Sequence, residues 1–218
     1  MAGAFFDVDY TVLSSNSATL FVKYLRQQGK VGARELLVTL YWVARYKLNL
    51  VNFEYLALRE TRKLAGQPER EMIELCNRWF DEMVIAYIYQ DAVAKIEEHR
   101  KKGDTLVLLT AATTYLTEPL ARRLRVPHFL CNRLEVDEDG NFTGELIRPF
   151  SYGAGKLVLA ERFAAEHGLD LGESYYYSDS ITDLPVLEGF RHPMIVNPDP
   201  LLRREARRRN WPVLAFKS

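Results

Sequence analysis

The spacing of the hydrophobic residues changes twice along the chain, and each spacing predicts a different structure. A short apolar run at residues 4–6 leads directly into acidic and polar residues, which predicts a buried strand that ends in a loop. From about residue 17 to residue 103, the apolar positions recur at helical spacing. A continuous apolar run follows at residues 105–109, which is typical of a strand covered on both faces of a parallel sheet.

The central stretch divides into five predicted helices, whose ends are marked by glycine and proline residues. The first begins near Ser17 and ends before Gly29, and a stop and restart is predicted at Gly66-Gln67-Pro68. The other four predicted helices cover residues 33–48, 52–65, 69–88 and 91–102.

Beyond residue 104, predicted strands and helices alternate. One segment breaks this order: at residues 134–146, Asp139-Gly140 lies between two alternating runs and predicts a β-hairpin. The predicted helices cover residues 115–124, 156–167, 183–188 and 201–209, and strands are predicted near residue 129 and at 175–177, 194–196 and 213–216.

The alternation of strands and helices predicts an α/β fold, a doubly wound (Rossmann-like) parallel sheet. Because one strand precedes about 85 helical residues and the rest of the sheet follows them, the helical part is expected to be an inserted cap. We therefore predict a core domain made of residues 1–15 and 90–218, and a helical cap domain of residues 16–89.

Composition excludes several classes of partner. The 29 basic and 29 acidic residues cancel, so nucleic acid is not expected as a partner. The two cysteines, Cys76 and Cys131, are too few for a disulfide framework and predict a reducing, cytoplasmic location. No membrane span is expected, because no apolar stretch reaches the ~18 residues required. The apolar run at residues 36–44, bounded by Glu35 and Arg45, leaves weak association with a lipid surface open.

Polar residues with catalytic chemistry follow the predicted strands at the ends where ligands bind in open α/β sheets. Several carboxylates on one edge would repel each other unless a lysine or a divalent cation neutralised them. Carboxylate and carbonyl oxygens are the ligands that Mg²⁺ prefers. The residues concerned are Asp7, Asp9, Thr11, Thr110, Lys156, Ser178, Asp179 and Asp183.

Four short motifs resemble those of the haloacid dehalogenase (HAD) superfamily, in the same order along the chain. D-V-D-Y-T at residues 7–11 is similar to its D-x-D-x-T first motif, and Thr110, closing L-V-L-L-T, resembles the second. Lys156 in G-A-G-K resembles the third, and S-D-S-I-T-D at residues 178–183 the fourth. D-x-D-x-T alone is a weak signal, whereas four motifs in sequence are a strong one. The helical insertion resembles the C1 cap of the phosphoserine-phosphatase-like branch, subfamily IB.

The resemblance implies a Mg²⁺-dependent phosphatase that acts through an aspartyl-phosphate. Asp7 would be the nucleophile and Asp9 the general acid and base. Asp183 would orient metal-bound waters, although it also suits the first residue of a helix. The implied metal ligands are Asp7, the carbonyl of Asp9 and Asp179, and the implied phosphate-binding residues are Thr11, Thr110, Ala111 and Lys156.

The substrate stays open at this point. Phosphoserine phosphatases of this branch carry a glutamate nine residues after the nucleophile, where it meets the substrate's amine; here that position is Asn16, which carries no charge. Asn16 and Arg59 are the candidate substrate-binding residues of the cap. The alternatives are a small monoester such as phosphoserine or histidinol phosphate, a lipid-like phosphate such as lysophosphatidate, and a non-catalytic phosphate-binding module. A homodimer through the aromatics Tyr41 and Trp42 is a further expectation.

Overall fold

The computed structural model describes residues 1–47 and 53–217, and its centre is a six-stranded parallel sheet. The strands are β1 (Gly3–Phe6), β2 (Thr105–Thr113), β3 (His128–Asn132), β4 (Leu134–Val136), β5 (Phe142–Leu146), β6 (Tyr175–Ser178), β7 (His192–Val196) and β8 (Val213–Leu214). The sheet order is β3-β2-β1-β6-β7-β8, and β4 and β5 form a separate antiparallel pair. The predicted α/β fold is confirmed.

Helices lie on both faces of the sheet and in the long connection between β1 and β2. They are α1 (Ser17–Gln27), α2 (Ala33–Lys47), α3 (Phe53–Thr61), α4 (Glu69–Glu82), α5 (Gln90–Lys102), α6 (Thr114–Leu124), α7 (Ala154–His167), α8 (Leu184–Gly189) and α9 (Pro200–Arg209). Across the described ranges, no helix has both the length and the apolar character needed to cross a bilayer.

Strand β1 is buried on both faces, which explains its uninterrupted apolar run. It lies between β2 and β6, and successive side chains alternate between the two sides of the sheet. Phe5 meets Phe190 edge-to-face, with ring centroids 5.0 Å apart, whereas Phe6 stacks on Tyr177 at 4.5 Å. Both phenylalanines are fully buried, so the end of β1 is held by packing on both faces of the sheet.

We call residues 16–89 the helical insertion, and its two ends lie side by side. The backbone N–H of Ser14 donates to the carbonyl of Tyr87 at 2.7 Å, and that of Tyr89 donates to Val12 at 3.0 Å. The chain therefore leaves the sheet and returns to it through one narrow junction directly after β1. The domain boundaries at residues 16 and 89 stay a prediction.

Several predicted elements differ from the structure at their ends, and three of them differ by more than an end residue or two. The helix predicted at 69–88 stops at Glu82 and continues as a 3₁₀ turn, Val84–Tyr87, because the chain bends back toward the sheet and buries Val84 there. The strand predicted at 105–109 runs on to Thr113. The helix predicted at 52–65 is helical over Phe53–Thr61 and then 3₁₀ over Arg62–Leu64; Leu48 and Asn52 lie outside the described residues.

The predicted hairpin is confirmed, and it joins the helical insertion to the rest of the molecule. Asp137 Oδ1 accepts hydrogen bonds from the backbone of Asp139 and Asn141 at 3.0 and 2.8 Å, which closes the turn. In β5, Phe142 exchanges backbone hydrogen bonds with Gly66 and Gln67 at 2.8 and 3.0 Å. The hairpin is therefore tied to the end of α3 and the start of α4.

Candidate active site

The ends of β1 and β6 and the start of α7 meet around one buried lysine. Lys156 Nζ donates to Asp7 Oδ1 and to Asp183 Oδ2, each at 2.8 Å. The backbone N–H of Asp7 donates to the carbonyl of Tyr177 at 2.9 Å, which holds the residue after β1 against β6. Residues of the first, third and fourth motifs are thus in direct contact, as the positions of the motifs after parallel strands predict.

Two hydroxyl groups complete the network around Asp183: that of Ser178, which the sequence analysis placed at this edge of the sheet, and that of Tyr176, which it did not. Asp183 Oδ2 accepts hydrogen bonds from Tyr176 Oη at 2.6 Å and from Ser178 Oγ at 2.8 Å. Tyr176 and Ser178 are two residues apart in β6, so they share one face of the sheet. That alternation, counted back from Ser178, is a signal in the sequence that could have identified Tyr176.

The electrostatics of the cluster follow from its burial. Burial raises the pKa of Asp7 to about 7, the Asp183 charge adds to this effect, and the Lys156 ammonium opposes it. Burial by itself disfavours a charged lysine, but the carboxylates of Asp183 and Asp7 outweigh that cost and raise the pKa of Lys156 well above its usual value. The lysine carries one positive charge against the two carboxylates of Asp7 and Asp183, and Asp179, which follows β6, is also buried. These acids can therefore balance a further positive charge.

The glycines before Lys156 are required by the close approach of the backbone. A Cβ on Gly155 would lie 2.0 Å from the carbonyl oxygen of Phe150, and Gly153 has a φ of +50°. Both positions therefore exclude larger residues. This tight turn brings Lys156 into the first turn of α7, from where its side chain reaches the cluster.

The carboxylate of Asp9 contacts the helical insertion. Asp9 Oδ2 accepts hydrogen bonds from Asn16 Nδ2 at 2.6 Å and from Ser17 Oγ at 3.1 Å, and Oδ1 accepts from the backbone N–H of Ser17 at 2.9 Å. Asn16 Oδ1 accepts from the backbone N–H of Thr19 at 3.1 Å and so caps α1. The candidate substrate residue Asn16 is therefore engaged with Asp9 and with its own helix.

Backbone strain lies between the two acids of the first motif and the threonine that follows. Tyr10, between Asp9 and Thr11, has a φ of +57°, which costs a residue with a Cβ about 1 kcal/mol or more. The carbonyl of Val8 accepts hydrogen bonds from the backbone of Thr11 and Leu13 at 3.3 and 2.9 Å. Thr11 is fully buried, and its hydroxyl has no hydrogen-bond partner within the protein.

The last residues of β2 are held by a residue of β3 that the sequence analysis missed. Asn132 Nδ2 donates to the carbonyl of Ala111 at 2.8 Å, and Asn132 Oδ1 accepts from the backbone of Ser151 at 2.9 Å. Thr110 Oγ1 accepts from the backbone N–H of Ala112 at 3.1 Å, so its own hydroxyl hydrogen can be donated elsewhere. Asn132 has no sequence signal, because its partners are distant along the chain.

Arg59 is not part of the buried network. Its guanidinium donates to Glu60 on the same helix at 3.2 Å, and 47% of its side chain is exposed. The structure therefore gives no contact between Arg59 and the residues of the four motifs.

The donor set fits a hard cation. Within residues 1–47 and 53–217, no three histidine, cysteine or acidic side chains gather into a metal-binding group. The set expected from the motifs needs fewer side chains: the carboxylates of Asp7 and Asp179 and the carbonyl of Asp9. Oxygen donors with room for water and a phosphate suit Mg²⁺. Asp183 Oδ1, buried and without a hydrogen-bond partner in the protein, is a ready acceptor for a metal-bound water.

A comparison with known protein families shows to which family the chain belongs. Residues 4–188 match the model of the haloacid dehalogenase-like hydrolases. The chain belongs to this family. The match includes all four motifs and the helical insertion between the first two.

The relatives agree with the family assignment. The chain is 34% identical to a probable phosphatase of Mycobacterium tuberculosis over 98% of its own length and 75% of that protein. It is 29% identical to a histidinol-phosphatase of Neisseria meningitidis over 98% of both chains. A structure of a phospho-aspartyl intermediate analogue of phosphoserine phosphatase superposes with a TM-score of 0.74 at 15% identity, covering 100% of this chain and 95% of that one, which shows a shared fold. This HAD protein is a hydrolase that acts on phosphoric monoester bonds.

Proposed function

We propose that this hydrolase is a Mg²⁺-dependent phosphatase for a small polar monoester, with Asp7 as its nucleophile. The observation that carries the proposal is the pair of 2.8 Å contacts from Lys156 to Asp7 and Asp183. The ammonium holds one oxygen of Asp7, and we assign the other oxygen to the attack on phosphorus. A carboxylate fixed in this way needs little reorganisation before it reacts.

The proposed reaction has two steps that use neighbouring acids. Asp7 attacks the phosphorus in line, a bond from Asp7 to phosphorus forms, and the bond to the leaving oxygen breaks while Asp9 gives that oxygen a proton. Asp9 then takes a proton from a water whose oxygen attacks the phosphorus, and Asp7 is released with inorganic phosphate. Each proton given in the first step is recovered in the second.

The remaining motif residues would hold the metal and the phosphate. The carboxylates of Asp7 and Asp179 and the carbonyl of Asp9 would bind Mg²⁺, which when bound neutralises charge on the phosphoryl group. Asp183 would hold Lys156 in place and accept from metal-bound water. The phosphate oxygens would be bound by Thr11, Thr110, the backbone N–H of Ala111 and Lys156.

The proposed substrate class rests on a cleft at the edge of this site. A cavity of about 450 Å³ includes Gly155, directly before Lys156, in its wall. Three of its lining residues are charged: Glu54, Arg148 and Arg162. Charged walls suit a polar leaving group better than an acyl chain. Asn16 provides no charge for an ammonium. Glu54, whose carboxylate accepts a hydrogen bond from Arg148 at 2.6 Å, is the carboxylate we assign to an amine-bearing substrate such as phosphoserine or histidinol phosphate. We further propose that residues 16–89 are the cap of this cleft and residues 1–15 and 90–218 its core.

A lipid-like phosphate is the second candidate. Leu37, Leu40 and Tyr41 in α2 are exposed, and so is Tyr55 in α3; Leu37 and Tyr55 expose 66% and 67% of their surface. An apolar surface of this kind would suit an amphiphilic substrate or a lipid surface.

A panel of substrates tests both candidates. We expect Mg²⁺-dependent phosphate release from phosphoserine or histidinol phosphate, and much less from lysophosphatidate and glycerol 3-phosphate. Cleavage of lysophosphatidate alone would replace the first candidate by the second. A phosphoryl adduct on Asp7 should be seen by mass spectrometry after acid quenching, and Asp7→Asn should abolish it together with turnover. Turnover retained by Asp7→Asn would refute the proposed nucleophile.

A further inference from the structure

We infer that Asn16 is a positioning residue for the proton transfer to the leaving group, acting through Asp9. The inference rests on the proposed function, because it concerns the residue assigned as general acid. It gives Asn16 a role on the enzyme's own acid rather than on the substrate.

The start of α1 donates three hydrogen bonds to the Asp9 carboxylate. Asn16 Nδ2 lies 2.6 Å from Asp9 Oδ2, and Ser17 contributes its backbone N–H at 2.9 Å and its hydroxyl at 3.1 Å. Asn16 and Ser17 are both buried, whereas Asp9 is half-buried. A half-buried aspartate would otherwise sample several rotamers, and these donors select one of them.

The orientation of the Asn16 amide follows from its partners. Its oxygen faces the backbone N–H of Thr19 at 3.1 Å and the Thr19 hydroxyl at 3.4 Å, and the backbone group can only donate. The nitrogen must therefore face Asp9, where it donates to a carboxylate oxygen. An aspartate at position 16 would preserve the cap of α1 but would place a second carboxylate against Asp9.

The Nδ2 group of Asn16 and the backbone N–H of Ser17 can only donate, so the proton of a neutral Asp9 carboxyl must point away from both of them. In the proposed first step that proton moves to the leaving oxygen while the bond from phosphorus to this oxygen breaks and the bond to Asp7 forms. Asn16 thus fixes the direction of the acid. Its effect should be largest where the leaving group cannot depart without a proton.

The test compares two leaving groups in the full-length protein. Asn16→Ser keeps an oxygen that caps α1 but is too short to reach Asp9. For an alkyl monoester that the wild type cleaves, kcat/KM should fall about tenfold or more. For p-nitrophenyl phosphate, kcat/KM should fall less than about threefold, because nitrophenolate departs without protonation and kcat/KM reports only the steps up to its departure. Asn16→Asp should lower the alkyl value further.

A second set of variants shows whether Asn16 acts through Asp9. In an Asp9→Asn background, Asn16→Ser should cause little further loss with the alkyl substrate, since the acid is already absent. Ser17→Ala, which removes the 3.1 Å contact and keeps the backbone donor, should have a smaller effect than Asn16→Ser.

The outcomes separate the inference from the proposed function. Equal losses for both leaving groups, a faster alkyl reaction in Asn16→Ser, or independent losses in the Asp9→Asn background would each overturn the role of Asn16 and leave the phosphatase intact. A wild type that cleaves neither substrate with Mg²⁺ would overturn the proposed function, and the inference would fall with it.

Discussion

The sheet and the helical insertion hold two neighbouring acids by different means. On the sheet side, Asp7 is buried and bound by the charged Lys156 at 2.8 Å, within a network that includes Asp183. On the insertion side, Asp9 is half-buried and bound by neutral donors of Asn16 and Ser17. Substituting one member of a buried charged network leaves the other charges without a partner, which is costly. Substituting a neutral hydrogen-bond donor at the junction leaves no buried charge without a partner. The sheet side is therefore expected to be the less tolerant of substitution.

The largest effect is expected from Lys156→Met. The substitution leaves Asp7 and Asp183 buried without their ammonium, and breaking such a pair costs about 3–5 kcal/mol of unfolding free energy. Turnover should fall at least about 100-fold, because one phosphate-binding donor is lost as well. Urea unfolding at neutral pH and the release of p-nitrophenol measure the two quantities. Lys95→Met, which removes an exposed contact to Glu98, is the matched control and should leave both near wild type. A Lys156→Met protein as stable as wild type would contradict the comparison.

The next effect is expected from Tyr176→Phe. Removing this hydroxyl takes a 2.6 Å hydrogen bond from Asp183 and a 3.2 Å contact from Lys156. Each of these buried charges keeps its other partners but loses one. Loss of one partner from a buried, charged network should lower the unfolding free energy by about 1–3 kcal/mol. Denaturant titration measures it. The control is Tyr175→Phe, because Tyr175 is the neighbouring residue of β6 and points to the other face of the sheet. An equal loss of stability in both variants would show that the position in β6 matters and the Tyr176 hydroxyl does not.

The third effect is the dependence of stability on pH, and it comes from a residue packed against the sheet. His99 is buried between Asp104 and Tyr177, with ring nitrogens 2.7 Å from each partner. Burial lowers the pKa of His99, although Asp104 opposes the shift, so the unfolded chain binds more protons below about pH 6.5. The contribution of His99 to stability is complete above that pH and should decrease as the pH falls through it.

Melting temperatures measured between pH 5 and 7.5 test this expectation. His99→Gln should flatten the decrease on the acid side and lower the melting temperature at neutral pH, because the buried hydrogen bonds are weakened. All four histidines lie outside residues 16–89, so the helical insertion contributes no imidazole to this slope. A slope unchanged in His99→Gln would locate the proton uptake elsewhere.

The smallest effect is expected on the exposed face of the insertion. Leu37→Ser and Tyr55→Ser replace side chains that are two-thirds exposed, and surface changes of this kind shift stability by about 0.5 kcal/mol or less. Turnover of a small polar monoester should stay near the wild-type value. A selective loss of activity with lysophosphatidate would instead assign these exposed side chains to the binding of a lipid-like substrate.

Much of the fold, and the residues of the four motifs that meet in the candidate site, can be predicted from local patterns. Buried strands read as uninterrupted apolar runs, and parallel strands bring the residues after them to one edge, so the contact of Lys156 with Asp7 and Asp183 is foreseeable. The supporting contacts are not. Asn132 holds Ala111 because β3 lies beside β2 in the sheet. Asn16 reaches Asp9 because the loop before α1 folds back on itself, where the backbone N–H of Tyr10 donates to the carbonyl of Ser15 at 3.4 Å. A homodimer and the cellular location stay predictions.

The junction after β1 has a consequence for exchanging parts between relatives. The acid at position 9 precedes the helical insertion, but the groups that hold it, at positions 16 and 17, move with the first helix. A chimaera joined between residue 9 and residue 16 would combine the acid of one protein with the first helix of another. The hydrogen bonds between the acid and the helix would then be lost. We therefore expect functional grafts to be joined ahead of residue 9 on one side and beyond residue 89 on the other, so that acid and holder are inherited together.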